Sequence, residues 1–169
     1  EMLSWKKAIG VNGYEIQKKS GNKWISVATT TANSYTLSKL NVGTAYNVRV
    51  RSYKTINDKK YYSSYVTLKV ATKPNTPKIT SPSSNSNHEI RVNWKTVSVC
   101  TGYQVQFAKD KKCKKVIATR TVKDKNSKSY TGKNFTKGRT YYVRVRSYKS
   151  VNGTKYYSEW STVKTIKSK

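Results

Sequence analysis

The heptapeptide VRVRSYK occurs twice in this chain of 169 residues, at positions 48–54 and again at 143–149. Other residues repeat in the same order: Trp5 and Tyr14 recur 89 residues later, and the tetrapeptide at 60–63, KYYS, recurs 95 residues later. An internal repeat of this length indicates two copies of one structural unit. Since the spacing grows from 89 to 95, the second copy carries about six additional residues between these landmarks.

The boundary between the copies lies in the sequence TKPNTPKI, which contains Pro74 and Pro77. Proline fixes its own φ and favours extended geometry in the preceding residue, which is typical of a short, stiff linker. We therefore predict two domains, residues 1–73 and residues 74–169. The second copy has about twenty residues before its first tryptophan and the first copy has four, so we expect the first copy to lack its first strand.

Both copies show apolar and polar residues in strict alternation over short runs. In YNVRVRSY, for example, Val48 and Val50 alternate with Arg49 and Arg51. A period of two predicts strands with one buried face, and no segment has a helical period. Several short strands in fewer than 100 residues indicate an all-β fold, with each copy an antiparallel β-sandwich.

Three separated motifs, each present twice, make the chain resemble the fibronectin type III domains. A tryptophan in the second strand and a tyrosine beginning the third match Trp5, Tyr14 and their repeats. The pattern Leu-x-x-Gly-x-x-Tyr-x-Val-x-Val appears as LNVGTAYNVRV and, with phenylalanine first, as FTKGRTYYVRV. The resemblance implies immunoglobulin-like sandwiches in which the hydroxyl groups of Tyr46 and Tyr141 bond to nearby backbone. It is strongest to modules of Gram-positive bacterial secreted and surface proteins.

The sequence offers little for catalysis or for cofactor and metal binding. His88 is the only histidine, and the seven acidic residues lie more than ten positions apart from one another. Cys100 and Cys113 flank one predicted strand of roughly 20 Å, too far for a disulfide, which requires Cα atoms within about 7 Å. We interpret Cys100 as a buried apolar residue and Cys113 as a free thiol whose pKa neighbouring lysines could lower. We expect no enzymatic activity, no cofactor and no metal site.

The charge is the strongest indication of function. Lys and Arg total 35 against 7 Asp and Glu, a net charge of +28, and 28 of the 35 cations are lysines. This bias favours diffuse attraction to polyanions over base-specific reading, so we regard nucleic acid as an unlikely partner. Glu15 is expected to pair with an arginine of the neighbouring strand. The candidate polyanion or carbohydrate surface comprises arginines and tyrosines expected to face outward together with a lysine-rich loop: Arg49, Arg51, Tyr53, Lys109, Lys111, Lys112, Lys114, Lys115, Tyr142, Arg144, Arg146 and Tyr148.

These observations favour a non-catalytic spacer and adhesion module of a longer secreted or surface protein, located outside a bacterial cell. It would lie against anionic wall or host polysaccharides, and no segment is apolar enough to span a membrane. An alternative is an accessory module of a secreted polysaccharide or cell-wall hydrolase that binds carbohydrate through exposed tyrosines.

Overall fold

The computed structural model describes residues 1–169 and consists of strands and loops, without any helix. The chain divides into two compact units, Glu1–Thr72 and Lys73–Lys169. We refer to them as unit 1 and unit 2. The structure therefore contains no helix with the length and hydropathy needed to cross a membrane.

Unit 1 contains seven antiparallel strands in two sheets. In chain order they are β1 (Met2–Ser4), β2 (Gly13–Ser20), β3 (Lys23–Thr30), β4 (Ser34–Thr36), β5 (Ala45–Ile56), β6 (Lys59–Tyr62) and β7 (Val66–Ala71). The larger sheet has the order β3-β2-β5-β6, with β7 also paired to β5. The smaller sheet consists of β1 and β4 alone.

Unit 2 repeats this arrangement with one additional strand. Its strands are β8 (Ile79–Ser84), β9 (Ile90–Trp94), β10 (Gly102–Ala108), β11 (Val116–Val122), β12 (Ser129–Gly132), β13 (Thr140–Val151), β14 (Thr154–Tyr157) and β15 (Lys164–Lys167). The larger sheet has the order β11-β10-β13-β14, with β15 also paired to β13, and the smaller sheet has the order β12-β9-β8. The predicted all-β fold is confirmed.

The units differ at β8, which has no counterpart in unit 1. In unit 2, β8 pairs with β9; its first residue, Ile79, is almost completely buried, and Pro77 just before it is completely buried. This cover leaves Trp94 only 2% exposed, whereas the equivalent Trp5 is half-buried. The smaller sheet of unit 1 thus lacks the strand whose absence the repeat alignment predicts.

The duplicated heptapeptide forms the middle of β5 and of β13, the central strand of each larger sheet. Val48, Val143 and Val145 are fully buried, as the alternation predicts. The two corner tyrosines also bond to backbone as expected, because the hydroxyl of Tyr46 accepts from the Asn41 amide at 2.8 Å and that of Tyr141 accepts from the Thr136 amide at 3.0 Å. These features hold each central strand in place and fix which of its side chains face outward.

Candidate polyanion-binding surface

The outward face of unit 1 carries a row of alternating cationic and aromatic side chains. The guanidinium carbon of Arg49 lies 4.3 Å from the ring centroid of Trp24 and 3.8 Å from that of Tyr65. The guanidinium carbon of Arg51 lies 4.4 Å from the ring centroid of Tyr65 and 3.6 Å from that of Tyr62. Each arginine is therefore held between two rings, which attract a cation through the negative face of their π-systems.

The arginines of unit 1 also donate hydrogen bonds to the neighbouring strand β2. Arg49 donates from Nε and Nη2 to Oε1 of Gln17 at 2.9 and 2.6 Å. Arg51 donates to Oε2 of Glu15 at 2.6 Å, and the hydroxyl of Tyr65 donates to the same oxygen at 2.9 Å. The expected pairing of Glu15 with an arginine is confirmed.

Burial and hydrogen bonding at this contact shift the pKa values of Glu15 and Tyr65. Burial acts to raise the pKa of Glu15, but the hydrogen bonds from Arg51, Tyr65 and Gln17 outweigh it, and the pKa lies below its usual value. Burial and the hydrogen bond to Glu15 raise the pKa of Tyr65. The carboxylate therefore stays ionised and the phenol stays protonated at neutral pH.

Unit 2 carries an equivalent row. The guanidinium carbons of Arg144 and Arg146 lie 4.5 and 4.3 Å from the ring centroid of Trp160, and that of Arg146 lies 3.8 Å from the ring centroid of Tyr157. Arg144 donates to Gln106 at 2.7 Å. Arg146 donates to Oε1 of Gln104 from Nε and Nη2, at 2.9 and 2.6 Å. We call these two rows the cation–aromatic ladders.

The ladders use much of the arginines' binding capacity within the protein. Two rings lie against each guanidinium except that of Arg144, which has one, and a glutamine or glutamate accepts from each Nε–H. Arg146 is half-buried, and this burial lowers the pKa of its guanidinium. The ladders therefore act chiefly as a brace across the sheet, and the arginines offer a polymer only their remaining N–H groups.

Tyr148 is not on the exposed surface where the sequence analysis expects it. It lies on the outward side of β13, but it is only 2% exposed. Its cross-strand partner is Gly102, which has no side chain to hold the ring away, and Tyr157 covers it with ring centroids 5.9 Å apart. Tyr148 therefore cannot contact a ligand. The equivalent Tyr53 lies opposite Gly13 and is half-buried.

The lysine-rich loop between β10 and β11 is held by a single carboxylate. Asp110 accepts hydrogen bonds from the backbone amides of Lys114 and Lys115, and these bonds lower its pKa. The amide of Lys109 bonds to the carbonyl of Lys115 at 2.9 Å, which closes the loop. All five loop lysines of the candidate surface are exposed: Lys109, Lys111, Lys112, Lys114 and Lys115.

Cys113 lies within this loop, and the suggestion that neighbouring lysines lower the pKa of its thiol is wrong. It is only 5% exposed, with a left-handed backbone at φ 52°. Burial raises the pKa of its thiol, and this exceeds the lowering effect of the nearby Arg144 charge. The neighbouring lysines Lys112 and Lys114 are exposed. Cys100 is likewise buried, and both cysteines are free thiols.

The structure brings part of the candidate surface of unit 2 together. Lys109 directly follows Ala108, which pairs with Tyr142 of β13, so the lysine loop begins beside the half-buried Tyr142 and near Arg144. The rings that stack on the arginines are not among the site residues predicted from the sequence. The repeated YYSSY and YYSEW segments, at 61–65 and 156–160, contain most of them and could have revealed them.

The paired sheets, the corner tyrosines and the duplicated core strands define a tandem of immunoglobulin-like β-sandwiches. The model of the fibronectin type III domain matches twice, at residues 2–69 and 73–164, and the chain belongs to this family. Domains of this family are generally non-catalytic modules that commonly serve as spacers or adhesion modules within larger multidomain proteins.

Solved structures agree on the fold. A two-domain fibronectin type III segment of chicken tenascin is 22% identical with a TM-score of 0.54, and the match covers 99% of this chain and 91% of that one. The FN1–FN3 domains of chicken CNTN1 are 21% identical with a TM-score of 0.52, and the match covers 99% of this chain and 59% of that one. No curated protein sequence matches the chain. At these identities the likeness shows the fold alone.

Proposed function

We propose that this chain is a non-catalytic spacer and adhesion module of a bacterial secreted or cell-surface protein. In this proposal its lysines hold it against anionic polymers such as acidic wall polysaccharides or host glycosaminoglycans. The observation that carries the proposal is the distribution of charge. The ladders engage four arginines inside the protein, while the five lysines of the β10–β11 loop are all exposed.

Unit 2 is the expected main contact with the polymer. Unit 1 carries 12 basic and 3 acidic residues, while unit 2 carries 23 basic and 4 acidic residues. The lysine loop concentrates five of the cations of unit 2 within seven positions, 109–115. Because lysine is a flexible, strongly hydrated point charge, this surface suits polymers with closely spaced charges and confers little specificity.

Elution from a heparin column over a salt gradient tests the proposal. Binding should weaken steeply as salt rises, because it rests on released counterions and screened charge. Replacing Lys111, Lys112 and Lys114 by serine should lower the elution salt clearly. Replacing Arg144 and Arg146 by serine should lower it less, since their guanidinium groups are already engaged. Retention that persists in molar salt would contradict the proposal.

A further inference from the structure

Unit 2 contains a cleft of about 540 Å³ between the edges of its two sheets. Strand β11 forms one wall and β12 with the residues after it forms the other. Its accessible apolar surface comes from the half-buried Tyr130 and from Ile117, which is 42% exposed. Beneath them pack the buried rings of Phe107, Phe135 and Tyr141. A concave site with an apolar floor and a few polar groups at its rim is the usual form of a small-ligand site.

Three cations line this cleft. Lys109 and Arg120 make no hydrogen bond or ion pair through their side chains, so all their side-chain N–H donors are free to bind a ligand or water. Lys133 lies 3.3 Å from Glu89 and remains 72% exposed. Neutral polar side chains complete the rim, namely Thr131, Asn134 and Thr136. These cations differ from the ladder arginines, whose guanidinium groups are stacked and bonded within the protein.

Unit 1 provides an internal comparison for the cations. By the repeat offsets, Lys109 aligns with Ser20 and Lys133 with Ser38. By strand register, Arg120 lies opposite Val105 as Ala28 lies opposite Ile16. All three cleft cations are therefore absent from unit 1.

The floor of the cleft has also changed between the copies. Phe107 lies opposite Val143, and the equivalent position opposite Val48 is Lys18. Lys18 lies over the corner tyrosine Tyr46, with Nζ 5.5 Å from the ring centroid. At the β12 edge, Gly132 aligns with Leu37. A Cβ at Gly132 would lie 2.9 Å from Phe135 and 3.1 Å from Phe107, so the absence of a side chain there makes room for these two rings.

We infer that this cleft binds one anionic sugar unit, a uronic acid or a sulfated sugar, of the polymer against which the protein lies. The inference rests on the proposed polymer binding and assigns that binding a defined site. Lys109 and Arg120 reach the carboxylate or sulfate group. The guanidinium of Arg120 suits either group because it presents a planar pair of donors. The apolar face of the sugar ring lies on the half-buried Tyr130 and the exposed Ile117, and the threonine and asparagine side chains meet its hydroxyl groups.

The test compares two triple variants of the full chain that remove the same charge. The cleft variant takes the residues of unit 1: Lys109→Ser, Arg120→Ala and Lys133→Ser. The control variant, Lys95→Ser, Lys123→Ser and Lys125→Ser, alters exposed lysines that do not line the cleft. The probe is a trimer of galacturonic acid, titrated calorimetrically, with maltotriose as the neutral sugar. On the unaltered chain, amide NMR shifts at Thr131 and Gly132 report on the cleft directly.

The expected result is saturable binding of the acidic trimer that shifts these amides, with affinity at least about tenfold weaker in the cleft variant than in the control variant. An equal loss in both variants, with heparin still retained, would overturn the cleft and leave the proposed function standing. Absence of binding to both heparin and the trimer at low salt would overturn both. Equal affinity for inorganic sulfate would overturn the assignment to a sugar.

Discussion

Trp160 is the residue on which the brace of unit 2 depends. Its ring contacts two guanidinium groups, with carbon-to-centroid distances of 4.5 Å for Arg144 and 4.3 Å for Arg146. A cation–π contact contributes about 0.5–1 kcal/mol when exposed and about 2 kcal/mol when desolvated. Both arginines and the ring are half-buried, so we take about 1 kcal/mol for each contact. Trp160→Leu, which keeps an apolar cover, should destabilise unit 2 by about 2 kcal/mol.

A double-mutant cycle separates the cation–π contact from the packing lost with the ring. Arg146→Met keeps an unbranched stem that can pack against the ring and removes the charge. The coupling energy between Arg146→Met and Trp160→Leu should be about 1 kcal/mol, above the few tenths found for independent sites. Urea unfolding followed by circular dichroism gives the four free energies, and a cycle in 1 M salt tests for screening. The coupling should persist there, because partly buried pairs are screened much less than surface charges.

Calorimetry provides an independent readout of the same change. For a domain of 60–100 residues, 1 kcal/mol shifts the melting temperature by roughly 4–8 °C, so Trp160→Leu should lower that of unit 2 by about 8–16 °C. The transition of unit 1 should not move. A coupling energy below about 0.3 kcal/mol would refute the reasoning, and the ladder would then be stacked without contributing to stability.

Three further predictions concern the stability of each unit. Unit 1 should melt before unit 2 in a calorimetric scan, because its smaller sheet has two strands and its buried core is smaller; coincident transitions in the unaltered chain would contradict this. Acidification through the lowered pKa of Glu15 should remove stability that is fully present above the unfolded value near 4.5. Glu15→Gln should abolish this contribution, which unit 2 lacks at the equivalent Gln104. Gly102→Ala should destabilise unit 2 by about 1–3 kcal/mol, since the new Cβ would collide with backbone and with a tyrosine hydroxyl. Gly10→Ala has open space around it and should cost about 1–2 kcal/mol, only because of its left-handed backbone. Urea titration of the two variants compares these losses.

The repeat and the alternating pattern predict the fold well because they report directly on burial. The valines of VRVRSYK face the core in both copies, and the corner tyrosines make the backbone bonds that the resemblance implies. The arginines are also placed correctly on the outward face. These properties follow from the period of a strand and the local geometry of one corner.

Contacts across strands are harder to predict because they depend on register and on what lies opposite. Alternation places Tyr148 outward, but the missing side chain of Gly102 lets the ring lie flat and become covered. Cys113 has lysines beside it in sequence, yet the turn held by Asp110 directs its thiol inward. The rings of the ladders come from other strands and loops, so only the repeated YYS segments could have indicated them.

The duplicated heptapeptide has a consequence for how the chain reaches its native state. Strand β10 pairs with the copy in β13, and β2 pairs with the copy in β5, although the two copies present the same seven side chains. During folding, β2 or β10 can therefore pair with the wrong copy of the heptapeptide. Misassembly between neighbouring domains is a characteristic failure of repeat proteins. The correct pairing is selected by residues that differ between the copies, such as Phe107 and Lys18. They lie opposite the equivalent valines Val143 and Val48. The fidelity of folding thus rests on the neighbours of the central strand and not on the strand itself.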